Sequence, residues 1–255
     1  SVLRGLVGRQ YLCKEAVIDA YGHHLEGCKL GMGARPRRHT EVLRAAASVE
    51  RLAGAEAIRI EPRDSFAATN DRPDFEAVTG PRATAETNEK EEGKVCVGKK
   101  TIFDVSVVAA TATQALGLNA ARAGSAADER EAQKIEKYGP QVNFTQRIRG
   151  GPLVKFVAPC YDSYAARSAG ARGWEKDAAH RVTEERGWVK SVAMGYVQRV
   201  MSVAVMKGHA TMVRSVARLV WEGIGRGKLQ DRGHGSGWAC DAPIRSEFLC
   251  EDFNR

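Results

Sequence analysis

A chain of 255 residues, 43% of them hydrophobic, can bury one sizeable core. No stretch of it approaches the roughly 20 apolar residues that a spanning helix needs, which excludes a helical membrane protein. The formal charge of +8 favours an anionic partner, because clustered Lys and Arg attract nucleic acid by releasing its counterions.

The six cysteines, at positions 13, 28, 96, 160, 240 and 250, lack the dense spacing of a disulfide scaffold, so reduced thiols in an intracellular compartment are expected. The N-terminus has no charged region followed by a hydrophobic signal core. A chain that opens on Ser1 rather than Met reads as part of a longer product.

Residues 1–36 are short on periodicity and rich in Gly, His and Cys, which suits a small irregular unit. His24-x-x-x-Cys28 has the spacing of the second half of a CCHC-type zinc knuckle, and Cys13 could be a third ligand. The positions three residues from Cys13 hold Gln10 and Ala16, so the set is incomplete, with His23 as a replacement. The plain alternative is that His24 and Cys28 simply pack.

From His39 the pattern becomes helical. Thr40 can act as a cap, Val42, Leu43, Ala46, Val49 and Leu52 recur at helical spacing, and Gly54 stops the helix. Ala57, Ile58 and Ile60 read as a strand, and Arg72 to Val78 as a second one that Pro73 places at an edge or a strand start. Residues 79–100 are polar and charged, and read as an exposed insertion. Thr101 to Ala109 is the strongest strand, nearly continuous and β-branched, of the kind buried on both faces.

Ser125 with Asp128 resembles a capping box, and Gly139-Pro140 is expected to close a helix over 126–138. Leu153 to Ala158 reads as another buried strand. Helices are expected over 175–186 and 191–222, and a loosely ordered, Gly-rich tail from Gly225. The order helix, strand, strand, strand, helix, strand from Thr40 to Ala158 predicts an α/β domain with a mixed central sheet flanked by helices.

Phosphodiester cleavage needs carboxylates that hold a metal ion against the phosphate, and a cation that offsets developing charge. Asp74 and Asp104, at the ends of separate strands, are the candidate carboxylates. The position two after Asp104 holds Ser106 and offers no lysine, and the helix that follows can supply a cation instead. Ala127, Glu131, Lys134 or Ile135, and Tyr138 share one helical face, whereas Lys137 points to the side, which selects Lys134. The structural alternative is that Glu131 and Lys134 form a surface pair worth about 0.2–0.5 kcal/mol.

Taken together, Arg72-Pro73-Asp74, Asp104-Val105-Ser106-Val107 and Glu131-x-x-Lys134-x-x-Lys137-Tyr138, with His24-x-x-x-Cys28 and Arg38-His39 upstream, resemble the restriction-like (PD-(D/E)XK) endonuclease found C-terminal to reverse transcriptase in some non-LTR retrotransposons. The likeness covers roughly residues 19–220, including Phe156-x-x-Pro159 with Tyr164, Met201-Ser202-Val203-Ala204 and Gly208-His209-Ala210. It departs in the missing knuckle cysteine, in the insertion between the two acids and in the tail.

The resemblance implies a restriction-endonuclease-like core over 37–165 with its insertion at 79–100, a knuckle-like segment over 1–36, a helical extension over 166–224 and a tail over 225–255. It implies Mg²⁺ or Mn²⁺ on Asp74 and Asp104, with Lys134 as the catalytic cation, and it suggests Zn²⁺ on His24 and Cys28, for which Cys13 could be a third ligand. DNA contacts would come from Arg37, Arg38, His39 and Arg72. Its implied activity is nicking of chromosomal DNA in the nucleus for target-primed reverse transcription, with DNA and element RNA as partners. The rival readings are a catalytically inactive nucleic-acid-binding module and a decayed element fragment.

Overall fold

The structure is a computed structural model that describes residues 34–66, 69, 71–80, 99–110, 115, 117–119, 122–149 and 154–230. The knuckle residues Cys13, His23, His24 and Cys28, the insertion at 81–98 and the tail from 231 lie outside the described residues.

Helix α1 (Ala34–Leu52) starts upstream of Thr40. The Thr40 hydroxyl donates back to the Pro36 carbonyl at 2.9 Å, so it serves inside the helix and caps nothing. Val42, Leu43, Ala46 and Val49 are buried along one face, and Gly54 ends the turn with φ 84°.

Strands β1 (Ala55–Ile60), β2 (Phe75–Thr79) and β3 (Lys99–Phe103) pair antiparallel in succession, and β5 (Lys155–Val157) joins β3 in parallel, giving a mixed sheet of order β1-β2-β3-β5. A second, parallel pair is formed by β4 (Ser106–Val108) and β6 (Cys160–Asp162).

The single strand expected over 101–109 is thus two strands. Phe103 pairs with Val157 and Ser106 with Cys160, the same offset on either side, so both pairs belong to one ladder interrupted at Asp104-Val105 and Ala158-Pro159. The chain still crosses the break: Asp104 N–H donates to the Val157 carbonyl and Ser106 N–H to the Pro159 carbonyl, each at 3.1 Å. Pro159 itself has no N–H to give.

Side-chain alternation sorts the sheet into two faces. Phe75, Ala77, Phe103 and Val105 point toward α1, α3 (Ala169–Arg186) and α4 (Lys190–Gln230), where Phe75 stacks on Phe103 at 4.4 Å and Trp174 meets Phe103 edge-on at 6.0 Å. Ile102 and Phe156 point the other way, toward Tyr138 and Val142 of α2 (Ser125–Arg149).

Helix α2 does not stop at Gly139-Pro140, and Pro140 lies inside it. The missing hydrogen bond is outweighed by burial on both sides of it, with Tyr138 stacked on Phe66 at 5.4 Å and Val142 and Thr145 buried beyond.

The helices after residue 165 are no appendage. Trp174, Ala178, Val182, Val197 and Met201 share one core with Val42, Phe75 and Phe103. Glu50 of α1, 1% exposed, accepts from Arg181 Nη1 and Nη2 at 2.8 and 2.7 Å and from Trp174 Nε1 at 2.6 Å, which ties α1 to α3. Ser168 caps α3, and Gly187 ends it in the left-handed region with φ 66°. Residues 225–230, expected in the tail, are the last turns of α4.

Candidate active site

The register of β2 and β3 decides where the two acids meet. Phe75 pairs with Phe103 as the last pair of the ladder, which leaves Asp74 and Asp104 just beyond it at the same end of the hairpin. Asp74 N–H turns to the Phe103 carbonyl at 2.9 Å, one residue out of the ladder register, and the Asp104 carboxyl lies close enough to Asp74 to feel its charge and to share a hydrogen bond with it. The insertion that separates the two acids in sequence is therefore the connection of a hairpin that brings them together.

Asp74 is fixed from two directions. Its Oδ2 accepts the Val105 N–H at 2.5 Å, which takes the amide freed by the break in the ladder. Its Oδ1 lies 2.9 Å from His39 Nε2, and because a carboxylate only accepts, the shared proton sits on the imidazole. That hydrogen bond is the main reason the His39 pKa is raised, with burial opposing it.

Asp104 faces the α2 side of the sheet, and Lys134 of α2 reaches it with Nζ 2.5 Å from Oδ1, both side chains being 9% exposed. Burial lifts the Asp104 carboxyl above its ordinary range, the Lys134 ammonium pulls it back, and the neighbouring Asp74 charge pushes it up again. Helices on opposite faces of the sheet, α1 through His39 and α2 through Lys134, thus converge on one pair of carboxylates.

Compared with known proteins, the chain matches no protein-family model and no curated protein.

The other lysine of the segment, Lys137, is elsewhere: its Nζ bonds Asp71 Oδ1 at 3.0 Å and sits 4.5 Å from the Tyr138 ring centre. Glu131 does not pair with Lys134. Its Oε2 accepts the Gly170 N–H at 2.9 Å, and Asp128 Oδ1 accepts the Ala169 N–H at 2.6 Å, so the acidic side of α2 caps the start of α3.

Of the expected DNA contacts, Arg37 and Arg72 are exposed. Arg38 is not available to a phosphate. It is 6% exposed, donates from Nη2 to the Val107 carbonyl at 3.1 Å, and packs where a Cβ on Gly208 of α4 would come within 3.0 Å of its Cγ. His39 bonds Asp74 while its side chain stays 37% exposed.

Two groups near this arrangement carried no weight in the sequence reading. Glu76, 2% exposed, accepts from Ser65 Oγ at 2.6 Å and pairs with Lys100 at 2.6 Å. Its place two residues after Asp74, on the same face of β2, is the pattern that would have drawn attention to it. Cys160 is buried close enough to feel the charges of Lys134 and Asp104, and burial pushes its thiol up to about 12, which keeps it protonated.

Among the described residues no three of His, Cys, Asp and Glu gather as a ready-made metal site. The donor set still fits Mg²⁺, which prefers hard oxygens and is commonly held by one or two carboxylates, with water and substrate phosphate completing its shell. Two neighbouring carboxylates, one of them disfavoured in its charged form by burial and by the other, are an arrangement that a divalent cation relieves.

Proposed function

We propose that this chain is a restriction-like DNA endonuclease portion of a non-LTR retrotransposon protein, nicking chromosomal DNA in the nucleus to expose a 3′-hydroxyl for target-primed reverse transcription. The observation that carries the reading is the convergence of Asp74, Asp104 and Lys134, with the two carboxyls close together just past the ends of β2 and β3 and Lys134 2.5 Å from Asp104. The order helix, four strands, helix, two strands, with β1, β2, β3 and β5 in one mixed sheet, supports it.

In this reading Asp74 and Asp104 hold Mg²⁺ or Mn²⁺. The ion, when bound, polarises the scissile phosphate and lowers the pKa of the attacking water. Lys134 offsets the negative charge that grows on the phosphate and orients the water, acting from a buried position where its charge is little screened. His39 keeps the Asp74 carboxylate in one rotamer, and Arg37 and Arg72 meet the DNA backbone.

The test is conversion of supercoiled plasmid to open circle in Mg²⁺ or Mn²⁺, with EDTA and Asp74→Ala as controls. Metal-dependent nicking lost in the variant is the expected result. DNA binding without nicking would move the assignment to a non-catalytic binding module.

A further inference from the structure

A row of apolar side chains runs along the outside of α4. Val189, Val192, Tyr196, Val203 and Met206 are 68%, 58%, 43%, 56% and 45% exposed. The other side of the same helix, with Val197, Met201 and Val205, is in the core. Exposed apolar side chains aligned along one helix, rimmed by polar residues, mark a place where a partner can dock.

Its spacing says what shape would cover it. Counting Arg199, the row advances alternately by three and four residues from Val189 to Met206. That 3.5-residue period is the seam into which a second helix sets its own side chains, and it does not match the period of a strand.

The charge on the helix says what kind of helix. From Lys190 to Arg218 it carries Lys190, Arg199, Lys207, Arg214 and Arg218 and no Asp or Glu. Glu41 of α1 pairs with it, 3.5 Å from Lys207. A second copy of the same face would set basic residues against basic ones, and a nucleic acid backbone would leave Val192, Val203 and Met206 in water.

We propose that the outer face of α4 binds an acidic amphipathic helix of another protein, with apolar residues in the Val189–Met206 seam and Glu or Asp beside Arg199, Lys207 and Arg214. The inference is independent of the nuclease reading, since it uses none of the residues around Asp74 and Asp104.

The experiment is a fluorescence anisotropy titration of the full chain against a labelled four-heptad peptide with Leu at a and d and Glu at e and g, and against the same peptide with Lys at e and g. Like charges keep each peptide from pairing with itself. Saturable binding of the Glu peptide is expected, weaker by about tenfold or more for the Lys peptide, and lost in a Val203→Glu, Met206→Glu double variant whose thermal melt is unchanged. Equal binding of both peptides, no binding of the Glu peptide, or full binding by the double variant would overturn the proposal. Self-association of the chain that the double variant abolishes would overturn it too, giving the face to a second copy, and so would salt-sensitive DNA binding lost in the same variant.

Discussion

Lys134 Nζ lies 2.5 Å from Asp104 Oδ1 in a place where each side chain is 9% exposed, so neither charge has water to fall back on. The pair is therefore asymmetric in its energetics: each partner is costly alone and tolerable together. Lys134→Met should lower the unfolding free energy by about 3–5 kcal/mol at pH 7, since it strands the Asp104 carboxylate beside Asp74. Adding Asp104→Asn to Lys134→Met should recover much of that loss. Urea unfolding of the two singles and the double would measure the coupling, and strict additivity would show that the pair does not interact.

Asp104→Asn alone separates chemistry from folding. The amide keeps the volume and can still accept from Lys134, so the chain should fold with a cooperative melt, lowered because the buried ammonium has lost its counter-charge. Plasmid nicking should disappear. Retained nicking would take Asp104 out of the mechanism.

The same substitution has a signature in pH. Burial raises the Asp104 carboxyl in the folded chain, so the folded state binds this proton more tightly than the unfolded one. Stability should fall on this account as pH rises from the ordinary carboxyl range, near 4, through the raised value. In Asp104→Asn that decline is expected to vanish from unfolding curves collected between the two limits.

His39 gives a second decline in the same direction, at higher pH. Its hydrogen bond to Asp74 raises its pKa in the fold, so its contribution is complete below the ordinary imidazole value of about 6.5 and is lost as pH rises through the folded value. Wild-type stability should decline over that window, and His39→Gln, whose amide can still donate to Asp74 but does not titrate, should be flat across it. An identical decline in both would assign the effect to another group.

Much of this arrangement was legible before any coordinates. Acids at strand ends and a lysine on one face of a helix are local patterns, and with the family resemblance they single out Asp74, Asp104 and Lys134. What sequence could not supply was register, because only the pairing of Phe75 with Phe103 makes the two acids neighbours. The break at Asp104-Val105 was hidden because a β-branched run reads as one strand whether or not the ladder bends. Pro140 read as a stop because the penalty is local, while the burial of Val142 and Thr145 that offsets it is tertiary. The periodicity of α3 and α4 showed an apolar face without showing that it packs against Phe103. Arg38 looked like a basic-loop residue because nothing in its neighbours announces the close approach of Gly208.

Glu131 offers the sharpest division between site and scaffold. It falls on the same face of α2 as Lys134 and would pass for a third acid of the catalytic group, yet its carboxylate accepts the Gly170 N–H at 2.9 Å. A Cβ built on Gly170 would lie 1.6 Å from Glu131 Oε1, so Gly170→Ala must push that carboxylate away, and Glu131→Ala removes it. Each variant should cost about 0.5–2 kcal/mol, the worth of a helix cap, with Ser168 still capping α3. Because the effect is on docking of α3 and not on Asp74 or Asp104, nicking by Glu131→Ala should survive once the protein is assayed below its lowered Tm. Loss of nicking in a Glu131→Ala protein that melts normally would place Glu131 among the residues that hold the metal and not among those that hold the fold.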